Sequence, residues 1–419
     1  MSQRFHIDSA LPSAAGAAIA IVQRLVDAGH QALLAGGCVR DLLLGHPPQD
    51  YDVATSAPPT RVCELFRPTR RVGAQFGVVL VKKRRRWVEV ATFRTDGPYL
   101  DGRRPAQVTL SDARHDALRR DFTVNGMFLD PLTMDVVDYV GGRTDLDAHL
   151  IRAIGTPSAR FSEDFLRLLR AVRFAARLSF PIEPVTLAAI CEHAPMLANV
   201  AAERVRDEME RMLSHPSRRH AWNTLHDCGL LPYLWHRAHW SPEQIRHVDT
   251  FLGRIPSHAP FELALAIILA DRNPREIERV ARALTLSNEE RQTASWLVNH
   301  HTDLDNPAGP SLAEFKRLMA NPAFYALTMW ARARFEDMPD GPQHATALAD
   351  RIAGTPRDVV QPPPLVTGDD LVERGVPRGP IYKETLDFLY TRQLDELITT
   401  RDQALHDLDE WLREHGHAG

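Results

Sequence analysis

The chain has 419 residues, 44% of them hydrophobic and 25% charged, with a net charge of −4. This is an ordinary globular composition, long enough for about two to four domains. It excludes a polycation, and no run approaches the roughly 18 apolar residues of a membrane span. The charge is uneven, however. Residues 61–125 carry 15 Lys or Arg against 7 Asp or Glu, which fits a polyanionic partner or a solvated basic surface, whereas the tail from about residue 385 leans acidic. The four cysteines (Cys38, Cys63, Cys191, Cys228) form no CxxC pair. They read as reduced thiols rather than disulfides or zinc ligands, and a cytoplasmic location is expected.

In chain order, "AAGAAIAIVQRLVDAG" is interrupted by Gln23 and Arg24, so residues 13–29 read as a soluble amphipathic helix rather than a secretory segment. "HQALLAGG" is a short buried strand ending at a glycine turn, and "VRDLLLG" a helix turn. "QDYDVATS" is a strand opening with Asp50 and Asp52. "FGVVLVKKRRRWVEVATFR" is a hairpin around a basic tip, 82–86, which either touches a polyanionic partner or stays solvated. A Gly-, Arg- and Pro-containing loop follows. Past residue 160 the strand signal fades. "SEDFLRLLRAVRFAARLSF" is expected to be one helix with Ser162 as its N-cap, and "ANVAAERVRDEMERMLSH" another. "VVQPPPLVTGDDL" (359–371) reads as a linker or hinge within an otherwise helical second half.

The chemistry belongs where the strands are. Two apart on one strand, Asp50 and Asp52 point to the same face, and such a pair repels itself unless a cation lies between them. Mg²⁺ takes oxygen ligands of this kind and leaves part of its shell for phosphates; a lone D-x-D also arises by chance. Gly36 and Gly37 form either a plain tight turn or a backbone open to phosphate ahead of a helix. Glu89, flanked by Val88 and Val90, lies on the strand face opposite those valines and can stand beside the aspartates as a third acid. On the helix carrying Asp164, the residues Arg167, Arg170, Arg173 and Arg177 share an arc of roughly 120°. That is a solvated basic face or a ligand-facing one.

Taken in order, "GGCVRDLLLG…DYDVAT", "RRDFTVNGMFLDP", "DYVGGRTDLDAHLIRAIGTPSARFSEDFLRLLRAVRFAARL" and "ERVRDEMERML" resemble the motifs of class II tRNA nucleotidyltransferases and the related bacterial poly(A) polymerases. The resemblance covers about half the chain closely, and "TGDDLVERGVPRGPIYKETLDFL" is similar to the tail of longer members. It implies an α+β fold: a nucleotidyltransferase head of polymerase-beta-like type with a small mixed sheet, followed by an all-helical neck, body and tail. The corresponding boundaries are 1–150, 151–215, 216–360 and 361–419.

The implied activity is template-independent addition of CCA to the tRNA 3′ end from CTP and ATP, with a two-metal Mg²⁺ site at Asp50 and Asp52. The resemblance places phosphate binding on Gly37 and Arg40 and a further nucleotide-binding arginine at Arg120. Asp121 is expected near the ribose, and Asp164 with Arg167 form a protein template for the base. Arg170 and Arg173 support the nucleotide. A-only addition and poly(A) synthesis are the nearer alternatives. The loop at 96–112 looks complete, which favours addition of the final A. "TVNGMF" departs from the family in having Gly126 where many relatives carry alanine. A phosphohydrolase built on His226–Asp227 or His115–Asp116, and a non-catalytic RNA-binding scaffold, are the competing classes.

Overall fold

The computed structural model describes residues 3–6, 11–71, 77–97, 108–235 and 240–416. They form two compact units, Met1–Trp240 with Arg282–Thr285, and Ser241–Ala281 with Leu286–Gly419. Among the described residues no helix is long and apolar enough to cross a membrane.

The first unit begins with β1 (Gln3–His6) and α1 (Gly16–Asp27). Helix α1 buries Ala17, Ala18, Ile21, Val22 and Leu25, the one-sided stripe that a 3.6-residue period produces. The fully buried β2 (Ala32–Ala35) follows, then α2 (Gly37–Leu43) and β3 (Asp52–Thr55). After α3 (Pro59–Leu65) and β4 (Thr69–Arg71) comes the expected hairpin, β5 (Val78–Lys83) and β6 (Arg86–Thr92). Its tip turns through Arg84 and Arg85 at φ 46° and 65°, the left-handed pair that a two-residue hairpin needs. A separate ribbon joins β7 (Arg94–Asp96) to β8 (Val108–Leu110). The loop whose completeness bears on addition of the final A lies largely outside the described residues.

With β9 (Phe128–Asp130) and β10 (Asp135–Asp138), the main sheet runs β1-β10-β9-β2-β3-β6-β5-β4 among the described residues. It is mixed, as expected, because β3 and β6 are parallel while the other neighbours are antiparallel. It is also wider than the small sheet expected. Strands β1, β9 and β10 have three or four residues each, too short for alternation to stand out. Register fixes the chemistry. Val53 pairs with Val90, so one step earlier Asp52 and Glu89 lie side by side on one face. The opposite face carries Val79, Val81, Val88 and Val90, all buried, and packs on α1.

The helical part of this unit includes α4 (Ala113–Leu118), α5 (Gly142–Asp147), α6 (Pro157–Glu163), α7 (Leu166–Leu178), α8 (Pro184–His193) and α9 (Ala202–Leu213). The single helix expected from Ser162 is instead broken. Asp164 is extended, at φ −155° and ψ 104°, between α6 and α7. Ser162 is therefore not an N-cap; its hydroxyl donates to the Ser158 carbonyl inside α6. The Asp164 carboxylate caps instead, accepting from the Leu166 amide at 3.1 Å. Gly126 has a packing reason: a Cβ there would meet Val140 at 2.6 Å and Ile154 at 3.2 Å, so alanine would need its neighbours to move.

The second unit is helical. Its most apolar helix, Phe261–Leu269, is buried at eight of its nine positions. Capping boxes start Pro242–Arg254, Asn288–His300, Leu312–Ala320 and Arg401–Glu414, each satisfying two otherwise orphaned amides. A separate apolar cluster from Val366 to Leu412 holds the last helices together. The proline segment expected as a hinge is tied down. The Pro362 and Pro363 carbonyls accept from Tyr390 Oη at 3.1 Å and Gln393 Nε2 at 2.9 Å.

Candidate active site

In the first unit a cleft of about 540 Å³ opens between the sheet face bearing Asp52 and Glu89 and helix α7. Nine arginines and four carboxylates line it, an excess that suits a polyanion such as a triphosphate. The lining includes Gly36, Gly37, Arg40, Asp52, Glu89, Arg120, Asp121, Asp164, Arg167, Arg170 and Arg173. Asp50 is placed differently from expectation. The strand begins at Asp52, and Asp50 precedes it as an exposed residue outside the cleft lining.

The acids form a charged cluster. Asp52 opens into the cleft, yet surrounding protein desolvates it, and with Glu89 and Asp50 nearby its carboxyl is pushed from 3.8 up to about 6. Arg120 offsets only part of this. Burial also raises the Glu89 carboxyl. Carboxylates that destabilise one another this way are what a hard cation neutralises, and their oxygen donors match magnesium. Among the described residues no three acids close into a ready cage. An ion here would complete its shell with water and phosphate oxygens.

Beside the acids, Gly36 caps α2 with a φ of 74° and ψ of −132° that only glycine adopts without strain. A Cβ there would come within 3.0 Å of the Arg120 guanidinium. Arg40 is buried, donating to Asn125 Oδ1 at 2.6 Å and to Asp41. Asp116, which is buried, grips both arginines of "RRD": Arg119 at 2.6 Å and Arg120 at 3.0 Å. Burial alone would raise the Asp116 carboxyl, but the two guanidiniums hold it below the ordinary range. Asp121 is similar. Against its burial, Arg170 above all, with the Phe122 amide and Arg167, holds it at about 2.

The basic face of helix α7 is only partly solvated: Arg177, near its C-terminal end, is exposed and Arg170 half-buried. Arg167 and Arg173 are buried, and Arg173 Nε meets Glu208 at 2.5 Å. Arg170 donates to Asp121 at 2.7 Å. Asp164 and Arg167 do not pair with each other. Arg204 of α9 clamps both oxygens of Asp164, at 3.0 and 2.7 Å. Arg167 spends Nη1 on Glu163 and the Arg160 carbonyl and part of Nη2 on the Arg119 carbonyl. By donor count its Nε and one Nη2 hydrogen are left, and Asp164 Oδ2 keeps a lone pair.

Sequence reasoning missed Arg204, Glu208 and Asp116. The first two lie in "ERVRDEMERML", four apart on one helix face, which was the available signal. The competing His–Asp pairs do not form a hydrolase centre. His226 and Asp227 are an exposed pair at 3.2 Å, while His115 bonds Asp112 at 2.8 Å and leaves Asp116 to the arginines.

The chain matches known proteins along nearly its whole length. Residues 32–152 match the model of the poly A polymerase head domain, and 179–239 that of a probable RNA and SrmB-binding site of polymerase A. The chain is 35% identical to the CCA-adding enzyme of Geobacillus stearothermophilus over 95% of this chain and 96% of that one. It is 33% identical to the Lactobacillus gasseri CCA-adding enzyme, covering 94% and 97%. The solved Bacillus stearothermophilus CCA-adding enzyme in complex with CTP superposes with a TM-score of 0.83 at 31% identity, covering 97% of this chain and 99% of that one. The Thermotoga maritima CCA-adding enzyme complexed with tRNA shares the fold, with a TM-score of 0.67 at 18% identity, covering 98% and 100%. Head fold and cleft define a nucleotidyltransferase. More narrowly, the chain belongs to the family of CCA-adding enzymes.

Proposed function

We propose that the protein completes tRNA 3′ ends, adding C, C and A from CTP and ATP without a nucleic-acid template and releasing pyrophosphate. The observation that carries this is a single cleft with strand acids on one wall and, on the other, a carboxylate and a guanidinium that each keep free hydrogen-bonding capacity. Residues 1–150 act as the catalytic head, 151–215 as the base-reading neck, 216–360 as the body and 361–419 as a tRNA-binding tail. Asp50, Asp52 and Glu89 would hold magnesium ions, whose charge offsets the triphosphate and acidifies the RNA 3′-hydroxyl.

The chain's own residues do the rest. Gly36 and Gly37 let phosphate oxygens approach the backbone, while Arg40 and Arg120 present their charge to the triphosphate. Asp121 faces the sugar, and Arg170 and Arg173 support the nucleotide from α7. The base is read by hydrogen-bond type: a carboxylate only accepts and a guanidinium only donates. Cytosine and adenine each place an amino donor beside a ring-nitrogen acceptor, matching Asp164 and Arg167. Uracil and guanine reverse the pattern, and each buried polar group left unpaired costs about 1–3 kcal/mol.

The test supplies CTP or ATP separately to tRNA ending before CCA, after C and after CC. Two CTP additions followed by one ATP addition, all abolished by chelation, are expected. Incorporation of ATP alone would replace this reading with A-only addition, and long homopolymer tails with poly(A) synthesis.

A further inference from the structure

The sheet face that bears the catalytic acids does not end at Glu89. Strand alternation places Trp87 on the same face of β6, two residues away, and Trp87 is 37% exposed. Register extends the surface across the neighbouring strands. Lys82 of β5 is paired with Trp87, and Arg70 of β4 lies opposite Leu80, the partner of Glu89. Both cations converge on the indole. The Arg70 guanidinium lies 4.5 Å from the Trp87 ring centroid and the Lys82 ammonium 5.8 Å from it. Among the described residues no carboxylate pairs with Arg70, Arg71, Lys82 or Lys83. This contrasts with the cleft's own arginines, several of which are neutralised by Asp116, Asp121 or Glu208.

An indole 37% exposed leaves apolar surface against solvent, and beside it stand cations that no carboxylate among the described residues pairs. The Arg70 guanidinium covers part of the indole, and the ring surface still exposed is what remains for a base, with the cations supplying charge for the adjoining phosphates, the combination that binds single-stranded nucleic acid without reading its sequence. Position identifies which strand. The triphosphate-binding glycines and the base-reading helix lie on the β2 and α7 side of Asp52 and Glu89, whereas Trp87 lies two residues before Glu89 on β6 and its cations lie on β5 and β4. A nucleotide bound between the acids and α7 leaves this flank as the approach for the other reactant. The strip is continuous with the acids but is not part of the cleft lining.

We propose that Arg70, Lys82 and Trp87 form the seat of the unpaired 3′ end of the RNA acceptor: Trp87 stacks on a terminal base, and Arg70 and Lys82 hold the phosphates that precede it. The turn residues Arg84 and Arg85 are not the principal contact. Arg84 folds back, its guanidinium occupying the space beside Gly16, whereas the strip sits lower on the strands. The proposal rests on the nucleotidyltransferase reading and names the RNA site that this reading requires.

The full chain tests it with Trp87→Ala, Trp87→Phe and the double variant Arg70→Ala/Lys82→Ala, measuring KM for tRNA lacking CCA and KM for CTP separately. Loss of a base–aromatic stack predicts that Trp87→Ala raises the tRNA KM by about ten- to a hundredfold. Trp87→Phe should recover most of that. In the double variant the salt dependence of tRNA binding should lose about one to two units of slope, with the CTP KM unmoved. A short single-stranded RNA primer should suffer as much as tRNA, because the seat contacts only the unpaired end. A tRNA KM within twofold of wild type, or a parallel rise in the CTP KM, overturns the proposal. Failure of the parent reading would be seen separately, as wild-type protein that incorporates neither CTP nor ATP.

Discussion

Replacing Asp52 with asparagine should stabilise the metal-free protein while abolishing nucleotide addition. Burial, Glu89 and Asp50 move the Asp52 carboxyl from 3.8 to about 6. The folded state therefore disfavours the charged form, and the sign follows. The penalty is nearly absent below pH 4, grows between about pH 4 and 6, and is complete above the folded value. A displacement of that size corresponds to about 3 kcal/mol at most. Asp52 is exposed towards the open cleft, so screening reduces the realised penalty to about 1 kcal/mol. Denaturant titration in chelator should show Asp52→Asn more stable than wild type by roughly that amount at pH 8, the gap narrowing from pH 6 towards pH 4. Magnesium should stabilise wild type more than the variant. A variant no more stable than wild type at pH 8 without metal would refute the argument that these carboxylates are frustrated, and with it the case for a cation between them.

Arg204→Ala should free the Asp164 carboxylate from its two-point clamp, lowering the ratio of kcat/KM for CTP over UTP on the order of tenfold. Arg204→Lys should restore little of it, since one ammonium cannot bridge both oxygens, and an unchanged ratio would remove Arg204 from base selection. Glu208→Ala strips the counter-charge from buried Arg173; unfolding free energy should fall by about 3–5 kcal/mol, and a loss below 1 kcal/mol would mean the network is not structural. Gly36→Ala forces a side chain into a backbone conformation that L-residues avoid and towards Arg120. A cost of about 1–3 kcal/mol is expected, read as a raised KM for CTP together with lower thermal stability, and wild-type values for both would show that the turn is not strained.

Within the head, the sequence alone determined a buried strand into a glycine turn, the strand carrying Asp52, the basic hairpin and, beyond it, the change to helices past residue 160. Those signals are local, since strand alternation, glycine at a positive φ and helical periodicity act within a few residues. Tertiary structure decided what local signals do not carry. The parallel pairing of β3 with β6 makes neighbours of Asp52 and Glu89, which are 37 positions apart in the chain. At the break, Asp164 caps α7 locally, but only the fold brings Arg204 of α9 onto both of its carboxylate oxygens. Burial turned the arginine arc of α7 from a solvated stripe into a cleft wall, because Glu208 and Asp121 come from elsewhere in the chain to neutralise it.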